Sequence, residues 1–200
     1  VNPANDLVAT AALGSPTPAA VLAALFEEEG EARVVLTRRS PALRAHRGEV
    51  SFPGGRLEPG EEVVTGALRE ASEEVGLDPA GVALAGWLTP VVTFNSRSFI
   101  HPVVATLEGR PHLSPNPAEV ARVVDVALAD LVADGVFDEE RWPLPPGRPG
   151  PAGAADGTFP VWFFRARGEL VWGATARMLY ELCCLTLGVP TRWDEARSGT

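Results

Sequence analysis

GRLEPGEEVVTGALREASEEVGL, residues 55 to 77, reads as a turn followed by a helix, and the rest of the chain is organised around it. Pro59-Gly60 makes the turn. Val64, Ala67, Leu68, Ala71 and Val75 then recur at i, i+3, i+4, i+7 and i+11, a single helical stripe suited to burial. Glu70, Glu73 and Glu74 recur at i, i+3 and i+4, so a helix projects all three carboxylates from one face. Like charges at that spacing cost a helix roughly 0.2 to 0.5 kcal/mol per pair. No Lys or Arg lies between them, and a divalent cation, Mg²⁺ or Mn²⁺, is the natural counter-charge. Glu61 and Glu62 are expected in the first turn, where the helix dipole favours negative charge, and Gly76 suits the left-handed residue that closes the helix.

The fixed positions of this stretch carry a resemblance. Gly55, five residues, Glu61, seven residues, then Arg69-Glu70-Ala71-Ser72-Glu73-Glu74-Val75-Gly76-Leu77 resembles the Nudix box throughout. The resemblance implies a metal-dependent hydrolase in which Glu70, Glu73 and Glu74 hold Mg²⁺ or Mn²⁺ and a carboxylate takes a proton from water. Arg69, four residues before Glu73, is spaced to hold that carboxylate in position.

Just upstream, RRSPALRAHRGEVSFPGGR (38 to 56) concentrates Arg38, Arg39, Arg44, Arg47 and Arg56 in an otherwise acidic chain. It ends in Phe52-Pro53-Gly54-Gly55, where glycines let backbone approach a ligand closely. This reads as a phosphate-binding loop leading into the acidic helix. The order Leu36-Thr37-Arg38-Arg39-Ser40, three residues, Arg44, three residues, Gly48, three residues, Phe52-Pro53-Gly54-Gly55 resembles the signature that precedes the Nudix box in coenzyme A diphosphatases; Val35 stands where that pattern has Leu. That branch splits coenzyme A into 3′,5′-ADP and 4′-phosphopantetheine. Arg38, Arg39 and Arg44, with Phe52, Gly54 and Gly55, become the candidate substrate contacts. Glu119 joins the catalytic candidates, because Nudix enzymes often place a further carboxylate on a loop at this stage of the fold. Two alternatives stay open: a Nudix pyrophosphatase acting on ADP-ribose or NADH, and a non-catalytic nucleotide-sensing module.

The 200 residues fit one domain, with residues 1 to 16 as an N-terminal extension and 189 to 200 as a tail. Apolar runs at Ala19–Phe26 and Arg33–Thr37 predict a buried hairpin about Gly30. Strands are expected at Val82–Leu88, Phe99–Leu107, Glu119–Leu128, Phe159–Phe164 and Leu170–Trp172, with a short helix near Ala129–Ala133. Residues 141 to 158 are too rich in Pro and Gly for a regular element and read as a long loop. Thr175 is expected to cap a final helix running to Leu187 and closed by Gly188. Strands dominate, so the class is α+β; the resemblance makes it a Nudix-type α/β/α sandwich with a mixed β-sheet.

Net charge −9 and a pI near 4.9 argue against a general electrostatic grip on nucleic acid or anionic membrane. A phosphorylated small molecule must then be met by locally placed charge or by metal. All 17 basic residues are Arg, so the choice of Arg at one site carries no message and position decides. No apolar run is long enough to span a membrane, and the N-terminus lacks the charged region of a secretory signal, so a cytoplasmic location is expected. Cys183 and Cys184 are adjacent, point about 100° apart on a helix and read as reduced thiols.

Overall fold

Two strands set the frame. β1 (Thr17–Glu28) and β2 (Glu31–Arg39) form the expected hairpin, with Leu25 opposite Val34, Glu28 opposite Glu31, and Gly30 at φ 82° in the turn. The computed structural model describes residues 16–43, 46–93, 97–144 and 156–191. Along β1, Ala20, Leu22, Ala24 and Phe26 enter one core, while Val21 and Ala23 enter another. A strand covered on both faces needs a near-continuous apolar run, which is what residues 19 to 26 supply.

Around this hairpin lie β3 (Val50–Ser51), β4 (Gly54–Arg56), β5 (Val82–Trp87), β6 (Val91–Val92), β7 (Ser98–Leu107) and β8 (Val120–Ala127). The path through the sheet is β3-β2-β1-β7-β5, with β4 on β1, β6 on β7 and β8 on β2. β1 and β7 run parallel and the other pairs antiparallel, so the sheet is mixed as expected. The first face packs on α1 (Val63–Val75) through Ala67, Ala71 and Val75. The opposite face meets α2 (Leu128–Leu131), α3 (Gly173–Leu187) and a second sheet of β9 (Phe137–Pro143), β10 (Thr158–Ala166) and β11 (Glu169–Trp172) in the order β11-β10-β9. Among the described residues no helix is long and apolar enough to cross a membrane. Cys183 and Cys184 are buried in α3 and form no disulfide, and burial pushes the Cys183 thiol up to about 12.

Several boundaries differ from the sequence reading. α1 starts at Val63, so Glu61 and Glu62 precede its first turn and Val63, rather than Val64, packs with the stripe. α3 starts at Gly173, which puts Thr175 inside the helix and gives Trp172 the cap position with no side-chain bond. The Pro/Gly-rich segment is not a loop throughout: Arg141–Pro143 extends β9 and Thr158 opens β10, paired Thr158 to Pro143. Both closing glycines behave as expected, Gly76 and Gly188 each at φ 66°, ψ 26°. Residues 1 to 15, 44 to 45, 94 to 96, 145 to 155 and 192 to 200, and with them Arg44, lie outside the described residues.

The junction of β1 and β4 is the tightest approach. Val21 lies opposite Gly54 and Ala20 opposite Gly55, and Leu22 N donates to Pro53 O at 2.9 Å. A Cβ on Gly54 would drive into the Ala20 carbonyl and the Val21 backbone, and its φ of 153° disfavours other residues. Gly54→Ala is therefore expected to lower unfolding free energy by at least about 2 kcal/mol, read as a reduced urea midpoint.

Candidate active site

The carboxylates of α1 are divided among three environments. Glu74 is buried, at 2 % relative exposure, beneath the β1–β4 junction. One of its oxygens accepts from Gly54 N at 3.2 Å, and the other faces Arg39 Nη1 at 3.5 Å. Glu70, half-buried, lies against Gly55, where an added Cβ would collide with its carboxylate. Glu73 is exposed at the rim. The acidic face thus has its counter-charge within the protein: Arg69 Nη1 donates to Glu70 at 3.0 Å and to Glu73 at 3.2 Å.

Arg69 is held in turn from outside the helix. Its Nε and Nη2 donate to the two oxygens of Glu61 at 2.8 and 3.0 Å, and Nη2 also reaches Arg56 O at 3.1 Å. This fork is the bidentate geometry that fixes a guanidinium in a plane. It holds Glu61 down to about 2, through Arg69 first and the Glu58 backbone N–H second. Sequence reasoning gave Glu61 to the helix dipole and missed this role; its place among the fixed positions of the box was the available signal.

Glu119 comes to the same region through backbone. Ser40 N donates to Glu119 O at 2.7 Å at the end of β2, and Asn116 N donates to Glu74 O at 2.8 Å. Ser114 N takes the Val75 carbonyl at 2.7 Å. The turn before β8 is therefore fastened to the last residues of α1.

The upstream candidates are placed less uniformly. Arg39 points to Glu74, and its Nε is buried with no hydrogen-bond partner among the described residues. Arg38, on the opposite face of β2, donates to the buried Glu169 of β11 at 2.6 Å, and Arg122 pairs with the other Glu169 oxygen. Nothing in the sequence pointed to Glu169, which lies far along the chain from Arg38. Phe52 is 1 % exposed within the core, so its side chain packs the fold and is removed from any ligand. Gly54 and Gly55 permit the close approaches described above.

Burial and mutual repulsion set the charge of the cluster. Burial raises Glu74 to about 7, with Glu119 and Glu70 adding to the rise and Gly54 N–H and Arg39 opposing it. Glu70 is also raised, by burial first, with Glu73 and Glu119 adding and Arg69 opposing. Among the described residues, no three ligating side chains as oriented stand close enough to share an ion. The donor set nevertheless fits Mg²⁺ or Mn²⁺: hard carboxylate oxygens, with burial and neighbouring carboxylates raising Glu70 and Glu74, a tension that a cation relieves.

Comparison with known proteins shows the family. The family profile described as "NUDIX domain" matches residues 16–146. The chain belongs to the Nudix hydrolase family. It is 44 % identical over 190 residues to Nudix hydrolase 22, chloroplastic, of Arabidopsis thaliana, covering 91 % of this chain and 59 % of that protein. The chain thus spans about three-fifths of the length of that relative. An uncharacterized Nudix hydrolase NudL of Photorhabdus laumondii is 33 % identical over 150 residues, covering 74 % of each chain. Among solved structures, a Nudix hydrolase from M. smegmatis, RenU, aligns with TM-score 0.51 at 23 % identity over 58 % of this chain and 73 % of that one, a likeness of fold. The stretch that resembles the Nudix box, residues 55 to 77, is α1 with its preceding turn.

The raised Glu74 has a direct consequence for stability. Its folded pKa of about 7 lies above the ordinary 4.5, so the folded state holds the proton more tightly and stability falls as pH rises from about 4.5 to about 7, then levels. In chelator-treated protein, Glu74→Gln should be more stable than wild type at pH 8 by on the order of 1 to 3 kcal/mol. The two should converge near pH 4.5; urea denaturation at both values checks the sign.

Proposed function

We propose that this Nudix protein is a metal-dependent diphosphatase whose substrate is coenzyme A or a derivative of it, cleaved to 3′,5′-ADP and 4′-phosphopantetheine. The hydrolytic part of the reading is carried by one observation: Glu119 lies near enough to Glu70 and Glu74 at the β1–β4 junction to help raise both, with Arg39 and Arg69 beside them. What supports coenzyme A is the order of residues from Leu36 to Gly55.

In the reaction, water adds to one phosphorus of the diphosphate while the bridging P–O bond breaks. One product carries the water's oxygen, and the leaving phosphate takes the electron pair. Glu70, Glu73 and Glu74 are the residues that would hold Mg²⁺ or Mn²⁺, whose chemistry when bound is to acidify water and offset phosphate charge. The chain's own groups do the remainder. Glu119 brings a further carboxylate, as ligand or as the acceptor of the water's proton. Arg69, clamped by Glu61, fixes the orientation of Glu70 and Glu73. Arg39 stands beside the cluster, its Nη1 3.5 Å from Glu74. Arg38 and Arg44 complete the arginines assigned to substrate phosphates, Arg38 after exchange of its Glu169 contact. We keep the cytosol as the compartment in this reading, whereas the names of two Arabidopsis relatives place those proteins in chloroplast and mitochondrion.

Incubation with Mg²⁺ and, side by side, coenzyme A, ADP-ribose and NADH should give 3′,5′-ADP from coenzyme A as the fastest product by chromatography. Equal or faster turnover of either competitor removes the coenzyme A assignment. Glu70→Gln and Glu74→Gln should lose at least about a hundredfold in kcat while remaining folded, and EDTA should abolish wild-type turnover until Mg²⁺ or Mn²⁺ is restored. A folded, metal-supplied wild type with no turnover of any diphosphate would point to the nucleotide-sensing alternative.

A further inference from the structure

We propose that Arg39 is a positioning residue for Glu74, and that the segment from Leu36 to Gly55 acts first as the scaffold of the carboxylate cluster rather than as a reader of the substrate. The inference deepens the diphosphatase reading and rests on it for the kinetic part of its test.

Arg39, Gly54 and Gly55 turn toward the α1 carboxylates, Phe52 toward the core and Thr37 toward β3, while Pro41, Ala42, His46 and Arg47 are exposed. Arg39 Nη1 stands 3.5 Å from one Glu74 oxygen, and Gly54 N donates to the other at 3.2 Å, so the carboxylate is held from both sides. Gly55 leaves the space that the Glu70 carboxylate occupies. Thr37 Oγ1 donates to Ser51 O at 3.3 Å, tying β2 to β3 and thereby fixing the strand that carries Arg39. Ser40 N holds the Glu119 backbone at 2.7 Å. Phe52 anchors the loop in the core. Arg38 faces away, to Glu169.

The physical need is plain. A carboxylate at 2 % exposure cannot orient itself by solvation, and a free rotamer would lose the ligand geometry on which rate depends. Gly54 N–H fixes one oxygen only. The guanidinium supplies the second point and the only arginine contact that Glu74 has among the described residues.

The test separates positioning from substrate binding. Arg39→Ala, Arg39→Gln and Arg39→Lys are assayed on coenzyme A and on dephospho-coenzyme A, which lacks the 3′-phosphate. Positioning predicts a fall in kcat of about tenfold or more for Ala and Gln on both substrates, KM changed less than about threefold, and partial recovery of kcat in Lys, which returns the charge. Unfolding of the chelator-treated protein at pH 8 gives a readout independent of turnover. Across wild type, Arg39→Ala, Glu74→Gln and the double variant, the unfolding constants should depart from multiplicativity by at least about threefold. Unchanged kcat with a raised KM, or a multiplicative cycle, overturns the proposal. If coenzyme A is not the substrate, the kinetics are read on whichever diphosphate the wild type hydrolyses, and the unfolding cycle stands unaffected, so the two readings fail separately.

Discussion

A carboxylate buried beneath a strand junction is the constraint from which the rest of this structure follows. Desolvation disfavours the charge of Glu74, and two other carboxylates nearby disfavour it further. Such a group persists only where the fold supplies donors and cations around it. Here the donor comes from a glycine whose backbone can press against β1 and the cation from β2, while α1 supplies Arg69 to the neighbouring Glu70. The glycines and arginines are thus two answers to one electrostatic problem: the first lets backbone come near, the second lets charge remain.

How much of this the sequence disclosed depends on the range of the interaction. Helical stripes, the αL glycines at 76 and 188, and the hairpin about Gly30 are local, and each was legible from spacing and residue type. The mixed sheet and the acidic cluster of α1 were also legible, because the box is a long fixed pattern. Strand β9 escaped notice. Its sequence, FDEERWP, is charged and largely exposed, with no alternation to declare it, and pairing to β10 decides its conformation. Residues 141 to 143 were lost to the loop for the same reason. The cap of α3 was misplaced by three residues because Thr175 offered a hydroxyl that the helix did not use.

Side-chain partners at long range were the hardest to foresee. Arg38 and Arg39 are neighbours in sequence and read alike, as cations awaiting a phosphate. Strand geometry sends them to opposite faces of the sheet, one to Glu169 and the other to Glu74. Phe52 reads as a loop aromatic and is instead part of the core. Such outcomes need knowledge of which strand lies beside which, and local pattern contains none.

The bonds from Ser114 and Asn116 to the end of α1 have a bearing on how this chain tolerates change. They weld the turn before β8 to the helix terminus, so Glu119 and Glu74 shift as one rigid piece. The stretch from Gly109 to Leu113 lies outside that weld and is tied instead through Arg110 to Glu28 and Asp125. A single residue gained or lost between Ser114 and Glu119 would slide one acid past the other, making those six positions a ruler of fixed length.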